Sequence, residues 1–221
     1  MGASPRPISI LVAALGGQGG GVLTEWLVAA AAHAGYPAQS TSIPGVAQRT
    51  GATTYYVEVF PERVAAGAPE PVFSLYPTPG DVDVIIASEL LEAGRTIELD
   101  YASPERTTLL ASTHRLFAIG EKSAVGDGVF PRARLEEAAR RSGRRLIAFD
   151  ALEAARRARS EVNAVLLGAL AAARILPMAP LRRAISSMSN RMWRCECCSI
   201  ARVKRLESRR PSPIAIFSPI T

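Results

Sequence analysis

Residues 15 to 24 read LGGQGGGVLT, and five of these ten residues are glycine. The run stands between an apolar stretch, ISILVAA, and a helix-like stretch, EWLVAAAAHAG. A strand, a glycine turn and a helix start together make an anion site. The first N–H groups of a helix have no internal acceptor, and the helix dipole adds positive partial charge there. Glycine, lacking a Cβ, lets a phosphate or a neighbouring backbone come close. The chemistry open to Gly17, Gln18, Gly19 and Gly20 is therefore the holding of a phosphate-bearing group. The plainer alternative is that the glycines only let strand and helix pack tightly.

The loop completes neither common phosphate motif. The dinucleotide pattern G-x-G-x-x-G, started at Gly17, gives Gly17, Gly19 and then Val22. The second strand ends STSIPG, without the carboxylate that would hold a ribose. No Gly-Lys-Ser/Thr follows, as a Walker A loop requires. A second polar loop, IPGVAQRTGA, carries Gln48, Arg49 and Gly51. The planar fork of Arg49 suits a carboxylate or a phosphate, with a structural ion pair or a contact to a partner subunit as the alternative. Ser88 and Glu89 close the run VDVIIAS, at the carboxyl end of a strand, where α/β sheets place functional groups. A helix-start role for Ser88 fits equally well.

Metal and nucleophile chemistry find little support. The cysteines are Cys195, Cys197 and Cys198. An iron–sulfur cluster needs four thiolates, and a zinc site needs two ligands beyond one C-x-x-C. His33 and His114 are far apart and belong to no ligand motif, so no metal site is expected. No nucleophile–base pair can be read, and catalytic residues stay unassigned. Gly126-Asp127-Gly128 resembles the opening of a thiamine diphosphate motif. No apolar strand precedes it, however, and Asn163 lies beyond the spacing that motif allows. The triplet reads as a turn, and Asn163 as a helix-start residue.

The elements that must position these residues alternate. Ile8 to Ala14 reads as a buried parallel strand, short and apolar. Val22 to His33 reads as a helix closed by Gly35. AQSTSI, TTYYVEVF, VDVIIAS, RTTLLAST and RRLIAFD read as strands. Helices are expected at Leu90 to Leu99, Arg134 to Ser142, Ala151 to Arg159 and Asn163 to Arg174. This alternation predicts an α/β fold: a three-layer, Rossmann-like, mostly parallel sheet with helices on both faces. TTYYVEVF is expected to add an antiparallel edge strand.

The stretch LGGQGGGVLTEWLVAAAAHAG, followed by IPGVAQRTGATTYYVEV, resembles the gamma-type domain of the 2-oxoacid:ferredoxin oxidoreductases. There a G-G-Q-G loop is followed by G-x-x-Q-R-x-G. The matching residues are Gly16-Gly17-Gln18-Gly19 and Gly45-Val46-Ala47-Gln48-Arg49-Thr50-Gly51. DVDVIIASELLEAGR and NAVLLGALA extend the resemblance over roughly Ile8 to Ile185, and the beta subunit of indolepyruvate ferredoxin oxidoreductase is the nearest pattern. The resemblance implies oxidative decarboxylation of a 2-oxoacid, an aryl pyruvate, to an acyl-CoA. It implies thiamine diphosphate and 4Fe-4S clusters on a larger partner subunit, CoA as co-substrate, and electrons passed to ferredoxin. On this reading Gly17, Gln18, Gly19, Gly20, Gln48, Arg49 and Gly51 line a shared site, and the chain alone binds no cofactor and is inactive. The rivals are a self-contained nicotinamide- or flavin-binding reductase, and a non-catalytic ligand-binding protein on the same fold.

The net charge of +6 is unevenly spread. Residues 1–181 carry 17 basic and 18 acidic side chains, whereas residues 182–221 carry 9 and 2. The body has no basic stripe, so nucleic acid is not an expected partner. No signal peptide is visible, and NAVLLGALAAARILP is short of the ~20 apolar residues that span a bilayer, so a cytoplasmic protein is expected. The domain is expected over 1–185. The basic, Arg/Ser/Pro-rich segment 186–221 shows no sustained apolar period and reads as disordered or frameshifted.

Overall fold

The computed structural model describes residues 5–44, 52–65, 67–115, 131–192 and 214–216. The strands are β1 (Ile8–Leu15), β2 (Ala38–Pro44), β3 (Ala52–Val59), β4 (Val84–Ala87), β5 (Thr108–Ser112), β6 (Arg145–Phe149) and β7 (Ile214–Ile216). The helices are α1 (Gly20–His33), α2 (Leu90–Glu98), α3 (Arg132–Ser142), α4 (Ala151–Ala158), α5 (Val162–Ala172) and α6 (Ala179–Met192). The sheet runs β2-β3-β1-β4-β5-β6-β7. From β1 to β7 each neighbouring pair is parallel. Only β3 runs against the rest, pairing antiparallel with both β1 and β2. The α/β sheet expected from the sequence is thus present. The antiparallel strand TTYYVEVF lies one place in from the edge, and AQSTSI forms the edge itself.

Alternate residues of the central strands feed two cores. Ile10, Val12, Ile86, Leu110 and Ile147 face α1, α4, α5 and α6 and pack on Leu23, Leu27, Leu166, Leu167 and Leu170. Leu11, Ile85, Leu109 and Leu146 face the other side and pack on Ala93 of α2 and Ala139 of α3. This explains why the strands read as unbroken apolar runs: both faces are covered, so both sets of side chains leave water. Each fully buried Leu or Ile contributes about 1.5–3 kcal/mol by that transfer.

Several boundaries move relative to the sequence reading, most of them by one or two residues. Helix α1 starts at Gly20, so two glycines belong to its first turn. Helix α6 continues past Ile185, which is fully buried, through the compositional break near Ser186 to Met192. The expected turn at Gly126–Gly128, the second glycine loop with Gln48, Arg49 and Gly51, and all three cysteines lie outside the described residues.

Candidate functional site

The chain leaves β1 into α1 on one face of the sheet and leaves β4 into α2 on the other. The two strands are adjacent and parallel, so the chains leaving their carboxyl ends part to opposite faces and leave a crevice between the two connections. Open α/β sheets bind ligands at such a switch point. The glycine loop forms one wall of it. Gly17 (φ 83°) and Gly19 (φ 70°) both adopt the left-handed conformation that favours glycine. Gln18 N–H donates to the Leu15 carbonyl at 3.1 Å, closing the turn, and Leu23 N–H donates to the Gly19 carbonyl at 2.9 Å as the first helical bond. The amides of Gly20, Gly21 and Val22 precede that bond and so have no acceptor within the helix.

The glycines divide by role. Gly17 stands in open space. A Cβ on Gly19 would lie 2.8 Å from Asn163 Cγ. A Cβ on Gly20 would lie 2.7 Å from Ala14 Cβ and 2.8 Å from Tyr55 Cε2, and one on Gly21 would lie 3.3 Å from the Tyr55 hydroxyl. Gly20 and Gly21 therefore let α1 settle on β1 and β3, as the plainer reading held. Gly17 and Gly19 shape the turn, and Gln18 is half-buried between them.

Ser88 does not start α2. That role falls to Glu89, whose carboxylate accepts from Glu92 N–H at 2.8 Å. The buried Ser88 hydroxyl donates instead to Gln18 Oε1 and lies 3.4 Å from Leu15 N, whose N–H donates to it. Asn163 sits in the first turn of α5, as expected of a helix-start residue, but its side chain also leaves the helix. Asn163 Nδ2 donates to the Gly19 carbonyl at 3.2 Å, and Oδ1 accepts from Ala164 N–H at 2.8 Å. The sequence reading found both residues and missed these partners. No local pattern could reveal a contact between positions 144 residues apart. Tyr55, packed on the glycines, was missed altogether.

Two further buried polar groups lie elsewhere toward the carboxyl ends of the strands. Ser112, fully buried at the end of β5, accepts from Ala151 N–H at 3.1 Å and so ties β5 to α4. Glu92, buried beneath α2, lies 3.5 Å from Arg95. Burial pushes its carboxyl above the usual range, Arg95 opposes this, and Glu89 adds to it. Among the described residues no three His, Cys, Asp or Glu side chains are grouped to hold a metal ion, and no helix is long and apolar enough to cross a membrane.

A mixed sheet covered on both faces, with a glycine turn at its switch point, defines an open α/β fold. The chain belongs to the pyruvate ferredoxin/flavodoxin oxidoreductase family, whose model matches residues 9–192. Among solved structures it is similar to the pyruvate oxidoreductase subunit PORC of Thermotoga maritima, with 18% identity, a TM-score of 0.55 and coverage of 93% of this chain and 94% of that one. At that identity the likeness is one of fold. It also matches the keto/oxoacid ferredoxin oxidoreductase gamma subunit of Geobacter sulfurreducens, with 14% identity, a TM-score of 0.48 and coverage of 90% and 92%. The 2-oxoglutarate:ferredoxin oxidoreductase of Magnetococcus marinus matches at 16% identity and a TM-score of 0.48, where 93% of this chain spans 31% of that one. No curated protein matches the chain by sequence.

Proposed function

We propose that this chain is the gamma-type subunit of a 2-oxoacid:ferredoxin oxidoreductase and supplies one wall of a site completed by a larger partner. The observation that carries the reading is the Gly16–Gly19 turn, set at the switch-point crevice of a family member. Free first-turn amides there suit an anionic group. On this reading the partner carries thiamine diphosphate and the 4Fe-4S clusters. It decarboxylates the 2-oxoacid, releases carbon dioxide, transfers the acyl group to the CoA sulfur and passes an electron pair to ferredoxin. This chain's share is to bind and orient. Gly17, Gln18, Gly19 and Gly20 hold an anionic portion of a substrate, and the family resemblance adds Gln48, Arg49 and Gly51 of the second glycine motif to the site. The resemblance of both glycine motifs to the indolepyruvate beta subunit supports an aryl pyruvate as the 2-oxoacid. We place the complex in the cytoplasm, assign the chain no nucleic-acid partner, and assign the segment 186–221 no part in the site.

The test is the assembled enzyme with Arg49→Ala, assayed for CoA-dependent viologen reduction with indolepyruvate, pyruvate and 2-oxoglutarate. Loss of one charge-assisted contact, about 1.5–3 kcal/mol, should lower kcat/KM roughly ten- to a hundredfold with the fold intact. The aryl substrate should be the best of the three. Full activity and unchanged KM values in Arg49→Ala would remove that loop from the site.

A further inference from the structure

Two buried side chains at the crevice have no part in the reading above. Ser88 is 3% exposed and Asn163 is 6% exposed, and both direct polar atoms at the glycine loop. We propose that Ser88 and Asn163 are positioning residues that clasp the glycine loop from its two ends and fix the direction of the amides at the start of α1. The inference rests on the reading of that loop as part of the substrate site.

Within the loop a single backbone bond, from Gln18 N–H to the Leu15 carbonyl, closes the turn. Gly17 and Gly19 both sit in left-handed backbone, which glycine enters and leaves freely, and Gly17 touches nothing in the direction of a side chain. The remaining support comes from outside. At the start of the loop the Ser88 hydroxyl uses both of its capacities there: it accepts from Leu15 N–H and donates to Gln18 Oε1. At the end, Asn163 Nδ2 donates to the Gly19 carbonyl. Its orientation is set by the other half of the amide, where Oδ1 accepts from Ala164 N–H. A flipped amide would turn an oxygen toward the Gly19 carbonyl and an NH2 toward an N–H, losing both bonds. The two clasps come from opposite faces of the sheet, Ser88 from the turn into α2 and Asn163 from α5. They pin the residues on either side of the freest point, Gly17. A site that orients a reacting group needs such outside support, because small displacements there cost large factors in rate.

The experiment uses the assembled complex carrying Ser88→Ala, Gln18→Ala, the double variant of these two, and Asn163→Ala, each assayed with CoA and a 2-oxoacid after heat stability has been recorded. Ser88→Ala removes two hydrogen bonds and should lower kcat/KM about tenfold or more. Gln18→Ala should lose no more than Ser88→Ala, and the double variant should lose no more than Ser88→Ala alone, since the bond between the two side chains is already broken there. Asn163→Ala should lose at least as much. A merely structural role would lower heat stability or yield and leave kcat and KM of the surviving enzyme unchanged, and that result overturns the proposal. Should Ser88→Ala or Asn163→Ala fail to assemble, Gln18→Ala decides alone, because it opens no fully buried position, and wild-type kinetics in it overturn the clasp. Gly19→Val separates the two levels. If it too keeps full activity, the substrate-site reading of the loop fails. If it is inactive while the clasp variants are normal, the clasp alone fails.

Discussion

Gly19→Val is expected to cost the assembled enzyme about a hundredfold or more in kcat/KM, the loss that misplacement of a positioned group by an ångström produces. Two effects combine. The residue has φ 70°, and a β-branched side chain in left-handed backbone costs about 1–2 kcal/mol. The new Cβ would also stand 2.8 Å from Asn163 Cγ, and relieving such overpacking costs about 1–3 kcal/mol. Asn163 must swing away and release the Gly19 carbonyl, so the turn loses its shape together with its stability. Gly17→Ala is the control, because φ is 83° there but the space is open. It should cost only the backbone strain, about 1–2 kcal/mol. Denaturant unfolding of both variants and kcat/KM of both complexes check the expectation. Equal losses at the two positions would mean that strain alone matters and that the Asn163 contact is idle.

Glu58→Ala should produce one of the largest losses of stability away from the crevice. Glu58 is buried on β3 and serves two partners at once. It accepts from the Tyr56 hydroxyl at 2.6 Å and from Ser74 N–H at 2.7 Å. Burial, with the Glu58 carboxylate beside it, holds the Tyr56 phenol far above its ordinary range, so the hydroxyl remains a donor at any working pH. Removing the carboxylate leaves a buried hydroxyl and an amide without an acceptor, at about 1–3 kcal/mol each. The expected sum is roughly 2–6 kcal/mol by chemical denaturation. Hydrogen exchange should quicken around Ser74, where the chain crosses β2 through the bond from Thr41 Oγ1 to the Leu75 carbonyl. Glu58→Gln keeps one acceptor oxygen and should fall between. A loss below about 1 kcal/mol in Glu58→Ala would mean that water replaces the carboxylate.

The central strands were legible in the sequence because they are short apolar runs, whereas β7 (Ile214–Ile216), in the segment read as disordered or frameshifted, was not. VIIA and TLLAS are buried on both faces, and no helix of that length stands between turn signals. The helix start at Gly20 was not legible, since glycine in a first turn looks like more loop, and only the close fit against Tyr55 makes it helix. The edge position of β2 was hidden for a related reason. AQSTSI is polar because one side of it is open, whereas the more apolar β3 is covered by a neighbour on each side. At the site, the motif pointed to the loop but not to what holds it. Ser88 next to Glu89 reads as a cap in either register, and the choice between them depends on where Gln18 lies in space. Asn163 carried a correct local meaning and a second, distant one. Glu92 was invisible altogether, because a Glu one turn into a helix is ordinary until its burial is known.

The account turns on one claim, that this chain contributes to a site completed by another polypeptide. The most direct measurement is viologen reduction by the purified chain, supplied with a 2-oxoacid, CoA and thiamine diphosphate, with and without a partner subunit carrying ferredoxin-type cysteines and a thiamine diphosphate motif. The account predicts no turnover by the chain alone, steady turnover on adding the partner, and saturation at a fixed ratio of the two. Turnover by the chain alone, or tight binding of a nicotinamide or flavin cofactor by it, would contradict the claim and establish a self-contained enzyme.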